Sequence, residues 1–262
     1  MSDLDPWKHQ DMFAEDSTAE KYDYLYNRTN FATSMYDDFA HAIISYIHHG
    51  KVLELGCGTG IVSHALNQFL PQLERYCMDF SSQMLKIART RCNNCIQADM
   101  EYLPYPNSRF DLVYVHSALH HFPSLARVVN EVKRILNEDG YFIIQEPNLH
   151  HLRKDTLLRA ISYGLRKINA KQYQDVSQLE VKPSEHHAPL VVQQVAQSLE
   201  NSGFAIEKSF YKYYSSYILN NFQNILINKF GRIIDPYYVK KESDGYMFMI
   251  IARRLKTSYT PR

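Results

Sequence analysis

Glycines stand at alternate positions in Gly56-Cys57-Gly58-Thr59-Gly60, between the apolar run Val52-Leu53-Glu54-Leu55 and the helix-periodic segment Ile61 to Phe69. A strand, a glycine turn and a helix in that order make a nucleotide seat. The glycines remove Cβ atoms where the backbone must bend and approach a ligand, and the helix start offers free N–H groups. The dinucleotide fingerprint G-x-G-x-x-G would need a glycine at position 61, which is Ile61; the register here is E-x-G-x-G-x-G, with Glu54 two residues before the first glycine. A tight turn without a ligand is the plain alternative. Asp79 stands 19 residues beyond Gly60, close to the ~20-residue interval at which a second strand presents an acid to a ribose. Asp99, His116 and Glu146 close later strand-like runs, and His120 and His121 follow His116. Imidazoles titrate near neutrality and suit removal of a proton from an oxygen nucleophile. A helix-entry histidine bonded to backbone is the competing reading for that pair.

These residues need a frame that brings strand ends together. Apolar runs at Arg75 to Met78, Ile96 to Ala98, Phe110 to Val115 and Tyr141 to Glu146 alternate with helical patterns. The helices expected are Ile61 to Phe69, ended by Pro71; a run from Ser81 or Ser82 to Arg89; and one opened by Pro123 and running through Leu136. Alternation of this kind from 51 to 146 predicts a parallel sheet with helices on both faces and ligands at the carboxyl ends of the strands. Leu190 to Asn201 reads as a further helix ended by Gly203. Phe204 to Tyr214 and Gly245 to Arg253 read as a final antiparallel pair around the helical run Tyr217 to Ile234.

With those positions assigned, VLELGCGTG, MDFSSQML, QADMEYLPYPNSRFDLVYVHSALHHF and EVKRILNEDGYFIIQEPN together resemble the ubiquinone-biosynthesis-type branch of class I S-adenosyl-L-methionine (SAM) dependent methyltransferases, over residues ~12 to ~150. The resemblance implies an α/β fold: a Rossmann-like doubly wound seven-stranded sheet, mostly parallel with the last strand antiparallel, carrying an inserted helical lid. It implies SAM as cofactor. Glu54, Gly56, Cys57, Gly58 and Gly60 would face its methionine half, and Asp79 the ribose hydroxyls. Phe80 or Met84 would lie against the adenine, with Asp99 near the adenine amine, Met100 stacking and His116 under the methionine moiety. Tyr22, in an aromatic-rich N-terminal segment, would contact the cofactor from a lid; packing of a helix on the sheet edge is its alternative. His120 or His121 would take a hydroxyl proton, oriented by Glu146. One departure is the turn before the fifth strand, usually Lys-Pro-Gly-Gly in the family and here Asn137-Glu138-Asp139-Gly140, in which only Gly140 keeps a position able to take left-handed backbone.

Composition narrows the partners. A net charge of +1 with 22% charged residues provides no field for a polyanion, so nucleic acid is not expected. No apolar run approaches the ~20 residues of a membrane span, and Met1-Ser2-Asp3-Leu4-Asp5 lacks the pattern of a signal peptide, which predicts a cytoplasmic protein without stable membrane insertion. Four cysteines in 262 residues make no disulfide framework. Cys92-Asn93-Asn94-Cys95 has no second pair to complete a zinc site, so surface or core thiols and no metal are expected.

The organisation expected is an N-terminal helical lid segment over 1–40, the SAM-binding Rossmann-like core over 41–147, an inserted substrate lid over 148–190, the C-terminal part of the core with a helical insertion over 191–255, and a tail over 256–262. The insertion carries a basic helix, Leu152 to Lys167, and the loop Glu185-His186-His187. The apolar stripe Tyr217, Ile218, Phe222, Ile225, Leu226 and Phe230 reads as core and pocket wall, with a homodimer face or a membrane-surface contact as alternatives. The resemblance implies O- or C-methylation of a small organic acceptor such as a secondary metabolite, sugar or quinone-like compound, and 20 Tyr and 13 Phe fit a pocket for a ring or lipid-like body. A methyltransferase acting on tRNA or protein, and a degenerate fold that only binds, are the other readings.

Overall fold

The computed structural model describes residues 19–20, 22–24, 30–122, 124–148, 190–212 and 247–256. The expected basic helix, the Glu185-His186-His187 loop, the helical run from Tyr217, Pro123 and nearly all of the tail lie outside them. In chain order the elements are α1 (Asn30–Ile44), β1 (Lys51–Leu55), α2 (Ile61–Phe69), β2 (Glu74–Asp79), α3 (Ser82–Ala88), β3 (Asn94–Gln97), β4 (Phe110–His116), α4 (Leu125–Ile135), β5 (Leu136–Pro147), α5 (Val192–Asn201), β6 (Phe204–Lys212) and β7 (Met247–Arg254). Among the described residues no helix is long and apolar enough to cross a membrane.

The strands form one seven-stranded sheet in the order β3-β2-β1-β4-β5-β7-β6. β1, β2, β3, β4 and β5 pair in parallel, and β7 runs antiparallel to both of its neighbours. This is the expected Rossmann-like sheet. The chain winds outward from β1 to β3 on one side and from β4 to β5 on the other, so the carboxyl ends of β1 and β4 flank the crevice where the winding reverses.

Side chains alternate across each strand, and each face has its own cover. Leu53, Leu55, Val113, Val115, Phe142 and Ile144 pack with Val128, Val129, Val132 and Ile135 of α4 and Val195 and Leu199 of α5. Val52, Leu112, Tyr114 and Ile143 pack with Tyr36, Phe39, Ala40 and Ile43 of α1 and Val62 and Leu66 of α2. α1 therefore runs across the border expected between residues 40 and 41, because its apolar stripe is spent on the sheet.

Two local readings need correction. α4 ends at Ile135 and β5 begins at once with Leu136. In the turn before the long run of β5, the left-handed residue is Asp139, at φ 60, and not Gly140. The short polar side chain of Asp tolerates that backbone, and its carboxylate pairs with Arg253 at 2.8 Å and Lys256 at 3.1 Å. Gly140 is required for a different reason: a Cβ there would sit 2.9 Å from the Asn137 carbonyl oxygen and 3.0 Å from that of Asp111.

Candidate active site

β1 ends in Leu55 and the glycine turn follows. Gly56 takes φ 62, and a Cβ on it would lie 2.5 Å from the Ala118 Cβ, so the loops after β1 and β4 touch where the sheet's winding reverses. The turn is then tied to β2. Cys57 N–H donates to the Met78 carbonyl at 2.9 Å, Gly58 N–H donates to Asp79 Oδ2 at 2.7 Å and Ser81 N–H to Asp79 Oδ1 at 2.8 Å. Asp79 thus anchors the glycine loop as well as ending its strand. Burial raises its carboxyl above the usual value despite those donors. Ser81 caps α3, its hydroxyl accepting from Met84 N–H at 3.2 Å.

Glu54 projects from β1 to the α2 side. Its Oε2 accepts from Ser63 N–H, in the first turn of α2, at 3.1 Å and from the Tyr114 hydroxyl at 3.2 Å. It is 2% exposed, and burial pushes its carboxyl up to about 8.

An open cavity of about 210 Å³ lies over these strand ends. Tyr22 lines it from the N-terminal segment, Glu54 from β1, and Gly56, Cys57 and Gly58 from the glycine loop; Asp79 and Phe80 from the end of β2 and Met84 from α3; Asp99 and Met100 after β3; and His116 from the end of β4. Of the expected cofactor contacts, Gly60 alone stands off the wall, where its missing Cβ lets the loop approach Ala88 of α3, 3.3 Å from the Cβ it would carry. A Cβ on Gly58 would meet nothing nearer than the Tyr22 ring at 3.9 Å, so the loop and the ring bound a space that a side chain would fill. A cofactor with a nucleoside and an aminoacyl arm fits such a cradle.

His116 packs its ring on Tyr36 and Phe39, with centroids 5.1 and 5.4 Å away. Burial pulls its pKa down to about 4, so the ring is neutral. Its Nε2 is buried and has no hydrogen-bond partner among the described residues, the kind of atom a ligand satisfies. Past β4 the chain makes one tight turn, Leu119–His121. Here His120 Nδ1 lies 2.7 Å from Glu146 Oε2, while Glu146 Oε1 accepts from the N–H groups of Ala118 and Leu119, each at 2.7 Å. The rings of His120 and His121 lie with centroids 4.1 Å apart, tilted by 38°. His121 lines the cavity; His120 and Glu146 do not.

Residues without a motif complete the site. Arg91, just after α3, donates to both carboxylate oxygens of Asp23 at 2.5 and 2.9 Å and to the Thr59 carbonyl at 2.7 Å. One guanidinium thus ties the segment bearing Tyr22 to the glycine loop. Tyr36 of α1 also lines the cavity, and a clearer view of the apolar period in 30–44 would have found it.

Residues 53–144 match the methyltransferase domain family. The chain is 34% identical to a demethylmenaquinone methyltransferase from Thermotoga maritima over 134 residues, 50% of this chain and 58% of that protein. It is 34% identical to a malonyl-[acyl-carrier protein] O-methyltransferase from Legionella pneumophila over 95 residues, 34% of each. These alignments span a third to just over half of the relatives' own lengths. The solved structure of a SAM-dependent methyltransferase from Archaeoglobus fulgidus superposes with a TM-score of 0.58 at 18% identity, over 89% of this chain and 98% of that one, a likeness of fold.

Proposed function

We propose that this chain, whose residues 53–144 match the methyltransferase domain family, is an S-adenosyl-L-methionine-dependent methyltransferase that transfers the methyl group of SAM to an oxygen or carbon of a small organic acceptor. The observation that carries this reading is the shared cavity, with the glycine loop, Glu54 and Asp79 on one side and His121 on the other. When bound, SAM supplies an electrophilic methyl on a sulfonium. Asp79 would hold the ribose hydroxyls, Phe80, Met84, Asp99 and Met100 the adenine, and Glu54, the glycine loop and His116 the methionine half. Tyr22 would cover them.

The remaining work falls to positioning of the acceptor and, for an oxygen nucleophile, removal of one proton. His121 stands at the wall for that task. Glu146 holds His120 through Nδ1, and the His120 ring packs at a tilt against that of His121. The sequence expectation favours His120 as the base, oriented by Glu146; in this proposal that pair supports His121, which lines the described cavity where His120 does not. The names of the two relatives make quinol rings and acyl carboxylates the first acceptors to screen.

The test is transfer of label from methyl-tritiated SAM to quinols, phenols, sugars and acyl carboxylates, with tRNA and protein as further arms. Label in a small acceptor, lost in His121→Ala while SAM binding persists, is the expected result. Label only in tRNA or protein would overturn the small-acceptor reading.

A further inference from the structure

Outside the cavity, the sulfur atoms of Cys77, Cys92 and Cys95 all lie within 4.8 Å of one another. Only two of them share a sequence motif. Cys77 and Cys95 are paired across the parallel ladder of β2 and β3, which puts them on one face of the sheet, and Cys92 enters from the turn that follows α3. Leu85 and Ala88 of α3 pack over the group. Cys77 is wholly buried, Cys92 is 2% exposed and Cys95 is half-buried, so the cluster has one side from which an ion can enter. None of the three lines the cofactor cavity.

The spacing suits coordination. Thiolates held about 2.3 Å from one ion sit about 4 Å from each other, so the three sulfurs need to close by less than about 1 Å. The Cys92 thiol donates to the Arg75 carbonyl at 3.3 Å and the Cys95 thiol to the Cys92 carbonyl at 3.1 Å, contacts that orient both side chains in the protonated cluster and are given up when an ion displaces the protons.

An all-sulfur donor set selects soft ions. Structural zinc takes four ligands in a tetrahedron, and among the described residues the cluster offers three. We propose that Cys77, Cys92 and Cys95 form a three-thiolate site for one soft metal ion of the monovalent copper class, off the cofactor cavity and joined to it by the 3.9 Å contact of the Cys77 thiol with Glu54 Oε2.

The test is anaerobic titration of the reduced whole chain with Cu(I) against bicinchoninate as competing chelator, with Zn(II) in a parallel arm. One equivalent of copper withdrawn from the chelator, together with protection of Cys95 from a maleimide, is the expected result. Loss of a group that merely supports a ligand costs about 10- to 100-fold in affinity, so Cys95→Ser should cost about 100-fold or more. The Cys92→Ser/Cys95→Ser variant should retain no copper while keeping its circular dichroism and melting temperature. These two positions carry the test because replacing the wholly buried Cys77 risks the fold itself. Failure of the wild type to withdraw copper, or equal retention by the folded double variant, overturns the site. Capture of zinc in place of copper overturns the assignment of the ion.

Discussion

Glu146 holds His120 by a 2.7 Å contact between Oε2 and Nδ1, while its other oxygen accepts two backbone N–H groups of the same tight turn. The carboxylate is fully buried and so organises the whole loop after β4. Replacing it separates two effects. Glu146→Ala leaves two buried N–H groups unpaired, at a cost of about 1–3 kcal/mol each, and the melting temperature should fall. Glu146→Gln keeps an acceptor for those groups but presents an amide to Nδ1. It should spare most stability and lower kcat about 100-fold. Equal kcat in the Gln variant and the wild type would remove Glu146 from the reaction.

His121 and His120 should respond differently from the cofactor residues. Either substitution by Ala should reduce kcat by about 100-fold or more with the Kd for SAM little changed, His121→Ala being the more severe. Full turnover in both variants would leave positioning alone as the source of rate and point to a carbon nucleophile that needs no base.

Glu54 links pH to stability. Its folded carboxyl titrates at about 8 against an ordinary value of 4.5, chiefly because of burial, so the unfolded chain releases this proton first. The contribution is fully present below pH 4.5 and is lost as pH rises through about 8. Glu54→Gln should abolish this decline in the cofactor-free protein, a difference of roughly 3–5 kcal/mol at the alkaline end. The same variant should weaken SAM binding, since an amide does not balance an ammonium. Denaturant melts of both proteins on either side of the transition check this, and parallel pH profiles would contradict it.

The Arg91 clasp should act on affinity. Arg91→Ala removes the guanidinium's bonds to Asp23 and to the Thr59 carbonyl, and with them one tie between the Tyr22 segment and the glycine loop. A loss of about 1–2 kcal/mol in SAM binding is expected, seen as faster dissociation in stopped-flow. An unchanged dissociation rate would mean that Tyr22 does not close the cavity.

Much of this architecture was legible because its signals are local. The alternate glycines, Glu54 ahead of them and Asp79 one βα unit later all lie in short runs whose strand and helix periods differ. Their convergence follows from the parallel winding. Contacts between distant segments left no such mark. Arg91 reaches Asp23 across 68 positions, and Cys77 joins Cys92 and Cys95 only through the register of β2 and β3. Neither interaction has a motif. Which histidine faces the cavity depends on how a single tight turn rotates, which Ala118-Leu119-His120-His121 does not encode in its period. Asp139 took the left-handed position expected of Gly140 because two cations of the C-terminal strand and its continuation, Arg253 and Lys256, reward its carboxylate.

SAM should bind in the cavity over the ends of β1, β2 and β4. Calorimetric titration of the purified chain with SAM and with S-adenosylhomocysteine, beside an Asp79→Ala variant shown to be folded, tests it most directly. The account predicts binding of both ligands at one site per chain and its loss in the variant, which lacks both the ribose acceptor and the anchor of Gly58. Absence of binding to the folded wild type, or equal binding to both proteins, would contradict it.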